Sequence, residues 1–166
     1  LSKIEEQSAS YEKEKVTMST IVDNVRINSI DRLKSNETKF VANIADDVIV
    51  EGNYNLLFSS IQNLVDNSLN YAGKGAEIHI DCYNEDSEYY YFSYYDTGKG
   101  VDEEHLNKLF ERFYRIDEGR DRNSGGSGLG LSIVKNALLL HKGKIQAKKH
   151  ISGGLEFLFT IRKKNS

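Results

Sequence analysis

The chain lacks proline and tryptophan, and it has one cysteine and one methionine among its 166 residues. An average proline content of about 5% would give about 8 prolines, so glycine, asparagine, aspartate and serine must shape the loops instead. The single cysteine, Cys82, excludes an internal disulfide and a cysteine-based structural zinc site, and it is compatible with a reducing compartment. No apolar run approaches the roughly 20 residues of a membrane-spanning helix. We therefore expect a soluble chain with the cytoplasm as its default location.

The charged residues exclude further classes of function. The 22 lysines and arginines and the 25 aspartates and glutamates give a formal net charge of −3. Without a positive field the chain has no general attraction to nucleic acid, so we expect no nucleic-acid partner. The length fits one domain with a sizeable core. Because the chain begins at Leu1 and has no basic-then-apolar leader, we expect it to be part of a longer polypeptide.

The first third of the chain predicts a linker, a helix and two short strands. Residues 1–15 are polar and charged, and we interpret them as the end of an upstream helix and a linker before a domain over residues 16–166. An imperfect apolar face predicts a helix over residues 19–33. Two extended stretches follow, at residues 39–45 and 48–50.

The strongest helical pattern covers residues 54–72. Its apolar stripe recurs at i, i+4, i+7, i+8, i+11 and i+15 and consists of Leu57, Ile61, Leu64, Val65, Ser68 and Ala72. A neighbouring stripe consists of Asn63, Asn67 and Asn70. Asparagine is a poor helix former, so this polar stripe indicates a functional role, with plain surface exposure as the alternative.

Strand patterns dominate the second half. Residues 78–83 alternate between apolar and polar, and residues 88–95 hold five of the ten tyrosines, an aromatic run typical of a strand. Residues 144–150 and 155–161 predict a hairpin. This order of elements favours a mixed, mostly antiparallel sheet covered on one face by helices, which is a two-layer α/β sandwich of the α+β kind.

Two further helices and a glycine-rich segment lie between these strands. Asp102 can cap a helix with four apolar residues at helical spacing: Leu106, Leu109, Phe110 and Phe113. Residues 116–127 are polar, charged and rich in glycine, which predicts a mobile segment. A helix over residues 128–140 follows.

One glycine-rich segment has the chemistry of phosphate binding. The run from Gly126 to Gly130, Gly-Ser-Gly-Leu-Gly, opens a predicted helix, and free backbone N–H groups at a helix N-terminus accept phosphate when no side chain is in the way. The run lacks the Lys-Ser/Thr ending of a Walker loop and lies outside a Rossmann unit, which disfavours both of those motifs. A plain turn and helix start is the alternative.

Two polar residues complete a possible nucleotide site. Asp96 ends a strand, and its carboxylate can accept a hydrogen bond from an exocyclic amine such as that of adenine, worth about 1.5–3 kcal/mol. A guanine oxygen at the same place would leave the carboxylate unpaired. The carboxamide oxygen of Asn67 suits Mg²⁺, which takes few protein ligands together with water and substrate phosphates. The alternative for Asp96 is a β-turn residue.

Together these segments resemble the catalytic ATP-binding domain of bacterial sensor histidine kinases, which shares a Bergerat-type ATP-binding fold with gyrase, mismatch-repair and chaperone ATPases. The resemblance covers about residues 16–163. Four ordered motifs carry it: residues 63–71 resemble the N box, 96–100 the G1 box, 109–115 the F box and 126–130 the G2 box.

The resemblance implies roles for individual residues. Asn67 would bind magnesium, Asn63 would lie near the phosphates and Asp96 would pair with adenine. Other nucleotide-binding residues would be Tyr71, Gly98, Gly100, Val101, Gly126, Gly128, Leu129 and Gly130. A lid over ATP would span about residues 101–127, with Phe110 and Phe113 as anchors and with Arg112 or Arg115 reaching the γ-phosphate.

The resemblance also implies the acceptor of the phosphoryl group. Related ATPases have a glutamate where this chain has Asn63, whose amide cannot act as a base, so transfer to a histidine is favoured over hydrolysis. The histidines of this chain lack the acceptor motif. The acceptor would therefore be a histidine-containing dimerisation hairpin upstream of Leu1, in a full-length homodimeric and membrane-bound sensor with a response regulator downstream, and this fragment would be a monomer.

One residue departs from the family pattern. Asn70 stands where the family often has lysine or arginine, which implies weaker phosphate stabilisation unless Lys74 or a lid arginine compensates. Two other functions remain open from the sequence. The first is a serine kinase or ATPase of the same superfamily, and the second is a nucleotide-binding module that regulates a partner without chemistry.

Overall fold

A computed structural model describes residues 13–116 and 129–163. Within these ranges the chain forms a five-stranded sheet with helices on one face, together with a separate pair of strands. The strands are β1 Glu14–Thr17, β2 Lys39–Asn43, β3 Ile49–Gly52, β4 Glu77–Glu85, β5 Tyr89–Asp96, β6 Ile145–Lys149 and β7 Leu155–Arg162. The helices are α1 Met18–Asn28, α2 Ile30–Ser35, α3 Tyr54–Tyr71, α4 Glu103–Leu106 and α5 Gly130–Leu140. No helix among these residues is long and apolar enough to span a membrane.

The sheet has the strand order β2-β4-β5-β7-β6. β2 pairs with β4 in parallel, whereas the other neighbouring pairs are antiparallel. The mixed, mostly antiparallel sheet and the two-layer α+β architecture predicted from the sequence are therefore confirmed. The central strand is β5, which lies between β4 and β7 and runs directly into the G1-like segment.

Side chains alternate across β5 and β7, so that one face of the sheet forms the core. Phe92 stacks on Phe159 with ring centroids 5.0 Å apart, and Tyr94 contacts Phe157 at 6.2 Å. The same alternation carries the last residue of β5, Asp96, to the buried face. The strand register alone thus brings a carboxylate into the interior between the sheet and the helices.

The long helix predicted over residues 54–72 is present as α3. It begins after Asn53, whose side-chain oxygen accepts a hydrogen bond from the backbone N–H of Leu56 at 3.0 Å, as an N-cap residue does. α5 packs along α3 on the same side of the sheet. The buried face of α3 consists of Leu57, Ser60, Ile61, Leu64, Val65 and Ser68.

The N-terminal part differs from the prediction. The helix predicted over residues 19–33 is divided into α1 and α2 at Ser29, a buried residue whose hydroxyl accepts a hydrogen bond from the amide of Gln62 at 3.0 Å. Glu14 and Lys15, in the segment that the sequence indicates as a linker, belong to β1, which pairs with β3. The sequence gives no strand signal there because only Val16 of the four β1 residues is buried.

His141, at the end of α5, joins three elements of the fold. The residue is 4% exposed, and its Nδ1 lies 2.7 Å from the carbonyl oxygen of Ala137. Its Nε2 lies 3.0 Å from the backbone nitrogen of Asn53 and accepts that N–H. A Cβ atom at Gly52 would lie 2.4 Å from the ring. A neutral imidazole with its proton on Nδ1 satisfies both contacts, and burial lowers the pKa of His141 from its usual 6.5.

We expect His141 to make the fold less stable in acid. The pKa of the folded-state ring is lowered, so as the pH falls below 6.5 the unfolded chain takes up a proton before the folded chain does. The free energy of unfolding should then decrease by up to about 1.4 kcal/mol per pH unit through this group. Urea unfolding from pH 8 to pH 5 should show a wild-type advantage over His141→Gln that shrinks as the pH falls. An advantage that is independent of pH would contradict this assignment.

Candidate functional site

A cavity of about 580 Å³ opens between α3, the end of β5, the segment after it and the start of α5. This volume lies in the range of about 300–1,000 Å³ that is typical of small-molecule sites. It brings together the sequence-predicted residues Asn63, Asn67, Tyr71, Asp96, Gly100, Val101, Arg115 and Gly130. Gly98, Leu129 and Arg112 do not line it. Gly126 and Gly128 lie outside the described residues.

Asp96 forms the buried end of the cavity. Asp96 is 4% exposed, and its Oδ2 accepts a hydrogen bond from the Ser68 hydroxyl at 2.9 Å. Its Oδ1 accepts from the backbone N–H groups of Gly98 at 3.1 Å and Leu155 at 3.4 Å. These contacts fix the carboxylate from α3, from its own turn and from β7. A carboxylate has about four lone-pair positions, so Asp96 retains the capacity to accept a hydrogen bond from a ligand in the cavity.

A second polar layer supports the carboxylate. The Ser68 hydroxyl lies 2.8 Å from the hydroxyl of Tyr94, which donates to the carbonyl oxygen of Leu64 at 3.0 Å. Burial raises the pKa of Tyr94 well above its usual range, so the hydroxyl keeps its proton. Sequence reasoning missed this layer, because Ser68 falls in the apolar stripe of α3 and Tyr94 in a run of strand aromatics.

The polar stripe of α3 forms one wall of the cavity. Successive helical residues are rotated by about 100°, so Tyr71 lies nearest to the buried Ser68 around the helix, followed by Asn67 and then Asn63. Asn63 donates to the Ser59 hydroxyl at 3.4 Å, and its Oδ1 would lie 3.2 Å from a Cβ atom at Gly130. Asn67, by contrast, makes no side-chain hydrogen bond within the described part of the chain. Its carboxamide is therefore available to a ligand or to a cation.

The glycines of the G1-like segment are required by contacts within the chain. Gly100 has φ +73°, and a Cβ atom there would lie 2.0 Å from the carbonyl oxygen of Gly153. A Cβ atom at Gly98 would lie 2.4 Å from the carbonyl oxygen of Ala72. Gly154 is restricted in the same way by the backbone of Asp96, at 1.9 Å. The β6–β7 turn thus packs directly against the residues that end β5, a contact that the hairpin pattern in the sequence does not indicate.

The segment after the G1-like motif is less helical than its sequence pattern predicts. Only α4 is helical, and turns follow it up to residue 113. Phe110 packs edge-on against Phe157 with centroids 5.9 Å apart, so this expected anchor is present. Phe113 is not an anchor, because it is 63% exposed and has a positive φ of 67°. The apolar spacing mispredicts Phe113 because a chain that leaves the helix after Leu106 no longer follows the helical period.

The arginines of this segment have different positions. Arg115 lines the cavity. The guanidinium of Arg112 lies over the exposed ring of Phe113, 5.3 Å from its centroid, and away from the cavity lining. Next to them, Nδ1 of His105 is hydrogen-bonded to the hydroxyl of Tyr114, and both side chains line the cavity. The arrangement favours Arg115 over Arg112 as a group that reaches a ligand.

The basic residue at the α3 wall is not the expected one. Lys74 forms an exposed ion pair with Glu37 at 3.0 Å and does not line the cavity. Arg32 of α2 lines it instead, with Nη1 2.7 Å from Oδ1 of Asp66 and Nη2 3.4 Å from Oδ1 of Asn70. The sequence contains no local signal for this contact, since Arg32 precedes these partners by 34 and 38 residues.

The cavity offers little for a metal ion on its own. Among the described residues no group of three or more His, Cys, Asp and Glu side chains could hold one. A divalent cation bound here would depend on oxygens of the ligand and on the single free carboxamide of Asn67. This donor set fits Mg²⁺, which keeps several waters and takes substrate phosphates as ligands.

We expect Ser68→Ala to destabilise the fold by about 1–3 kcal/mol, because it removes the donor to Oδ2 of the buried Asp96 carboxylate. Ser60→Ala is the matched control. Ser60 is equally buried in α3, but its hydroxyl donates only to the carbonyl oxygen of Leu56 at 2.9 Å, which keeps its helical bond. The control should cost less than about 0.5 kcal/mol. Equal losses in urea unfolding would show that the Ser68–Asp96 bond contributes nothing specific.

Comparisons with known proteins agree with this geometry. The family model described as "Histidine kinase-, DNA gyrase B-, and HSP90-like ATPase" matches residues 52–165. The chain is 32% identical to the sensor histidine kinase WalK of Bacillus subtilis strain 168 over 168 residues, which cover 97% of this chain and 26% of WalK. It is 34% identical to the signal transduction histidine-protein kinase BaeS of Escherichia coli K12 over 93% of this chain and 33% of BaeS. The chain thus spans about a quarter to a third of the length of these relatives.

Solved structures show the same fold. The catalytic domain of histidine kinase ThkA, in a nucleotide-free form, superposes with a TM-score of 0.81 at 22% identity and covers 93% of this chain and 97% of that one. ThkA in complex with the response regulator protein TrrA gives a TM-score of 0.75 at 22% identity, over 91% of this chain and 42% of that one. The matched family model covers more than half of the chain, and this chain belongs to the family of histidine kinase-, DNA gyrase B- and HSP90-like ATPases.

Proposed function

We propose that this chain is the ATP-binding catalytic domain of a two-component sensor histidine kinase and that it transfers the γ-phosphate of ATP to a histidine outside this chain. The observation that carries the proposal is the buried Asp96 carboxylate at the end of a cavity of nucleotide size. Family membership and the sensor histidine kinase relatives support it. The chain would be the cytoplasmic domain of a membrane-bound bacterial sensor.

Asp96 would recognise the adenine base. Its carboxylate is held in place before any ligand arrives, so it can accept the exocyclic amine without reorganisation. Apolar side chains of Val101, Leu109 and Leu155 line the same cavity and can contact the flat base. Tyr71 lines the same cavity, as the N-box resemblance suggests, and Gly98 allows the turn after β5 to lie close to Ala72 at the end of α3.

The start of α5 would bind the phosphates. Gly130 opens α5, an 11-residue helix with no acidic residue in its first turn, and the N-terminus of such a helix attracts anions. Asn63 lies beside Gly130 and can donate its amide to a phosphate oxygen. Leu129, Gly128 and Gly126 would extend this phosphate loop. Arg115 would approach from the opposite wall, within a lid of about residues 101–127 whose anchor is Phe110.

Magnesium would be held by Asn67. A bound Mg²⁺ would neutralise charge on the β- and γ-phosphates and so favour transfer. The protein side of this contact is one carboxamide oxygen, and the phosphates and water would supply the other ligands. We therefore propose that the chain binds magnesium together with the nucleotide and not before it.

The histidines of this chain are engaged in structural contacts, which favours an external acceptor. His141 is buried, and His105 is hydrogen-bonded to Tyr114. His79 and His150 both stack on the ring of Tyr95, with ring centroids 4.7 Å apart for His79 and 3.7 Å apart for His150. The acceptor would be the histidine of a dimerisation hairpin upstream of Leu1 in the full-length homodimer, with the residues before β1 as the end of its helix and a linker to this domain.

The partner downstream would be a response regulator. The ThkA structure that contains a response regulator shares this fold, and that is the support for the proposal. The isolated chain would be a monomer, because the hairpin would carry the dimer contacts. No nucleic-acid partner is proposed.

We expect Asp96→Asn to weaken Mg-ATP binding roughly 10- to 100-fold, because it removes a charged hydrogen bond worth about 1.5–3 kcal/mol. Isothermal titration calorimetry on the folded variant measures this loss. Asp81→Asn is the matched control: it changes the same charge on the adjacent strand β4 but lies outside the cavity lining. Equal affinities for Asp96→Asn and the wild type would contradict the role of Asp96 in nucleotide binding, on which the proposal rests.

We expect this chain, supplied with γ-labelled ATP and magnesium, to transfer the label to a separately added dimerisation hairpin. The hairpin would come from a sensor kinase homologue or from the parent protein. The label should be acid-labile, as phosphohistidine is, and Asn67→Ala should reduce the initial rate by at least about tenfold through the lost metal contact. Label that resists acid would indicate a serine kinase. Phosphate released without a hairpin would indicate an ATPase, and ATP binding with neither outcome would indicate a regulatory nucleotide-binding module.

A further inference from the structure

Arg32 places a positive charge at the cavity from α2, a helix that contains none of the four sequence motifs. Its guanidinium bridges two side chains of the α3 wall, Asp66 at 2.7 Å and Asn70 at 3.4 Å. The Arg32 side chain is 49% exposed, which places it at the mouth of the cavity and not in its interior. Two of its three guanidinium nitrogens make these contacts, and a guanidinium carries five N–H donors, so donors remain for a ligand.

The rotation of α3 places Arg32 and Asp96 at opposite ends of the wall. Asp66 and Asn70 each lie two residues from Ser68, about 200° around the helix, so they project away from the side that holds Asp96. Asn67 lies between the two sides. A nucleotide whose base reaches Asp96 and whose metal reaches Asn67 therefore extends its phosphates toward Arg32.

The charges of the cavity lining show why the position of Arg32 matters for an anionic ligand. The described lining contains three basic side chains, Arg32, Lys99 and Arg115, and three acidic ones, Asp66, Asp96 and Asp102. Asp66 alone would repel a phosphate at the end of the wall. Arg32 removes that repulsion through its ion pair and adds donors at the same place.

We propose that Arg32 is a specificity-determining residue for the polyphosphate chain of the nucleotide, held in place by Asp66 and Asn70. This inference rests on the proposed function and adds a residue to it. It also accounts for Asn70, because its carbonyl oxygen accepts a hydrogen bond from Arg32, whereas a lysine at position 70 would repel the guanidinium. The positive charge on this wall comes from α2 instead of from α3.

The test compares Arg32→Met with the wild type across adenosine, AMP, ADP and ATP in magnesium buffer, by calorimetry or competition with a fluorescent nucleotide. We expect ATP to bind roughly three- to tenfold more weakly, ADP to show a smaller loss, and adenosine to bind as before. The ATP loss should shrink at higher salt, since Arg32 is half-exposed. Unchanged adenosine binding also shows that the variant is folded.

Lys34→Met is the matched control, because Lys34 is exposed on the same short helix and lies outside the cavity lining. An equal ATP loss in this control, or a loss in Arg32→Met that is the same for adenosine and ATP, would overturn the inference. So would an unchanged ATP affinity in Arg32→Met. Arg32→Gln, which keeps a hydrogen-bond donor but no charge, provides the same comparison if the methionine variant unfolds. A wild-type chain that binds no adenine nucleotide would instead overturn the proposed function.

Discussion

The hydrogen bond from the Ser68 hydroxyl to the Asp96 carboxylate joins the long helix α3 to the central strand β5 at the buried end of the cavity. A buried carboxylate is costly unless it is hydrogen-bonded, and three donors from three parts of the chain meet this requirement here. The positions of α3, of the turn after β5 and of the start of β7 are thereby fixed relative to one another. The rest of the cavity is built on that arrangement.

Two simple periodicities produce the arrangement. The alternation of β5 carries Asp96 to the core face after Tyr90, Phe92 and Tyr94, whose burial sets the register of the strand. The rotation of α3 turns Leu57, Leu64 and the rest of its apolar stripe toward the sheet, and it places the asparagines beyond the edge of the buried face, with Asn67 nearest to that face and Asn70 farthest from it. A slip of one residue in β5 would replace Asp96 by Tyr95 at the end of the cavity, so the packing of the core decides the chemistry of the site.

The sequence predicts the parts of this site that depend on local patterns. α3, β5 and the glycine turn after Asp96 follow from spacing within a dozen residues, and the structure brings them together as expected. Local sequence patterns do not predict contacts between distant segments. Arg32 contacts Asp66 across 34 residues, and Gly154 packs on the backbone of Asp96. They are also insufficient for β1, where only Val16 of the four residues is buried and the strand therefore shows no periodicity. Phe113 shows the opposite error, since its helical spacing is present in the sequence but the helix is not.

The polar stripe of α3 shows how the fold tolerates residues with a low helix propensity inside a helix. Asn63, Asn67 and Asn70 each weaken α3 relative to alanine by a few tenths of a kcal/mol. Burial of the opposite stripe stabilises the helix by far more, since each fully buried leucine or isoleucine contributes about 1.5–3 kcal/mol. The helix can therefore carry polar side chains wherever they do not face the core. Asn63 and Asn70 hydrogen-bond to Ser59 and Arg32, whereas Asn67 makes no side-chain hydrogen bond to any residue that the structure describes. A site of this kind requires a helix whose stability comes from packing and not from its own sequence preferences.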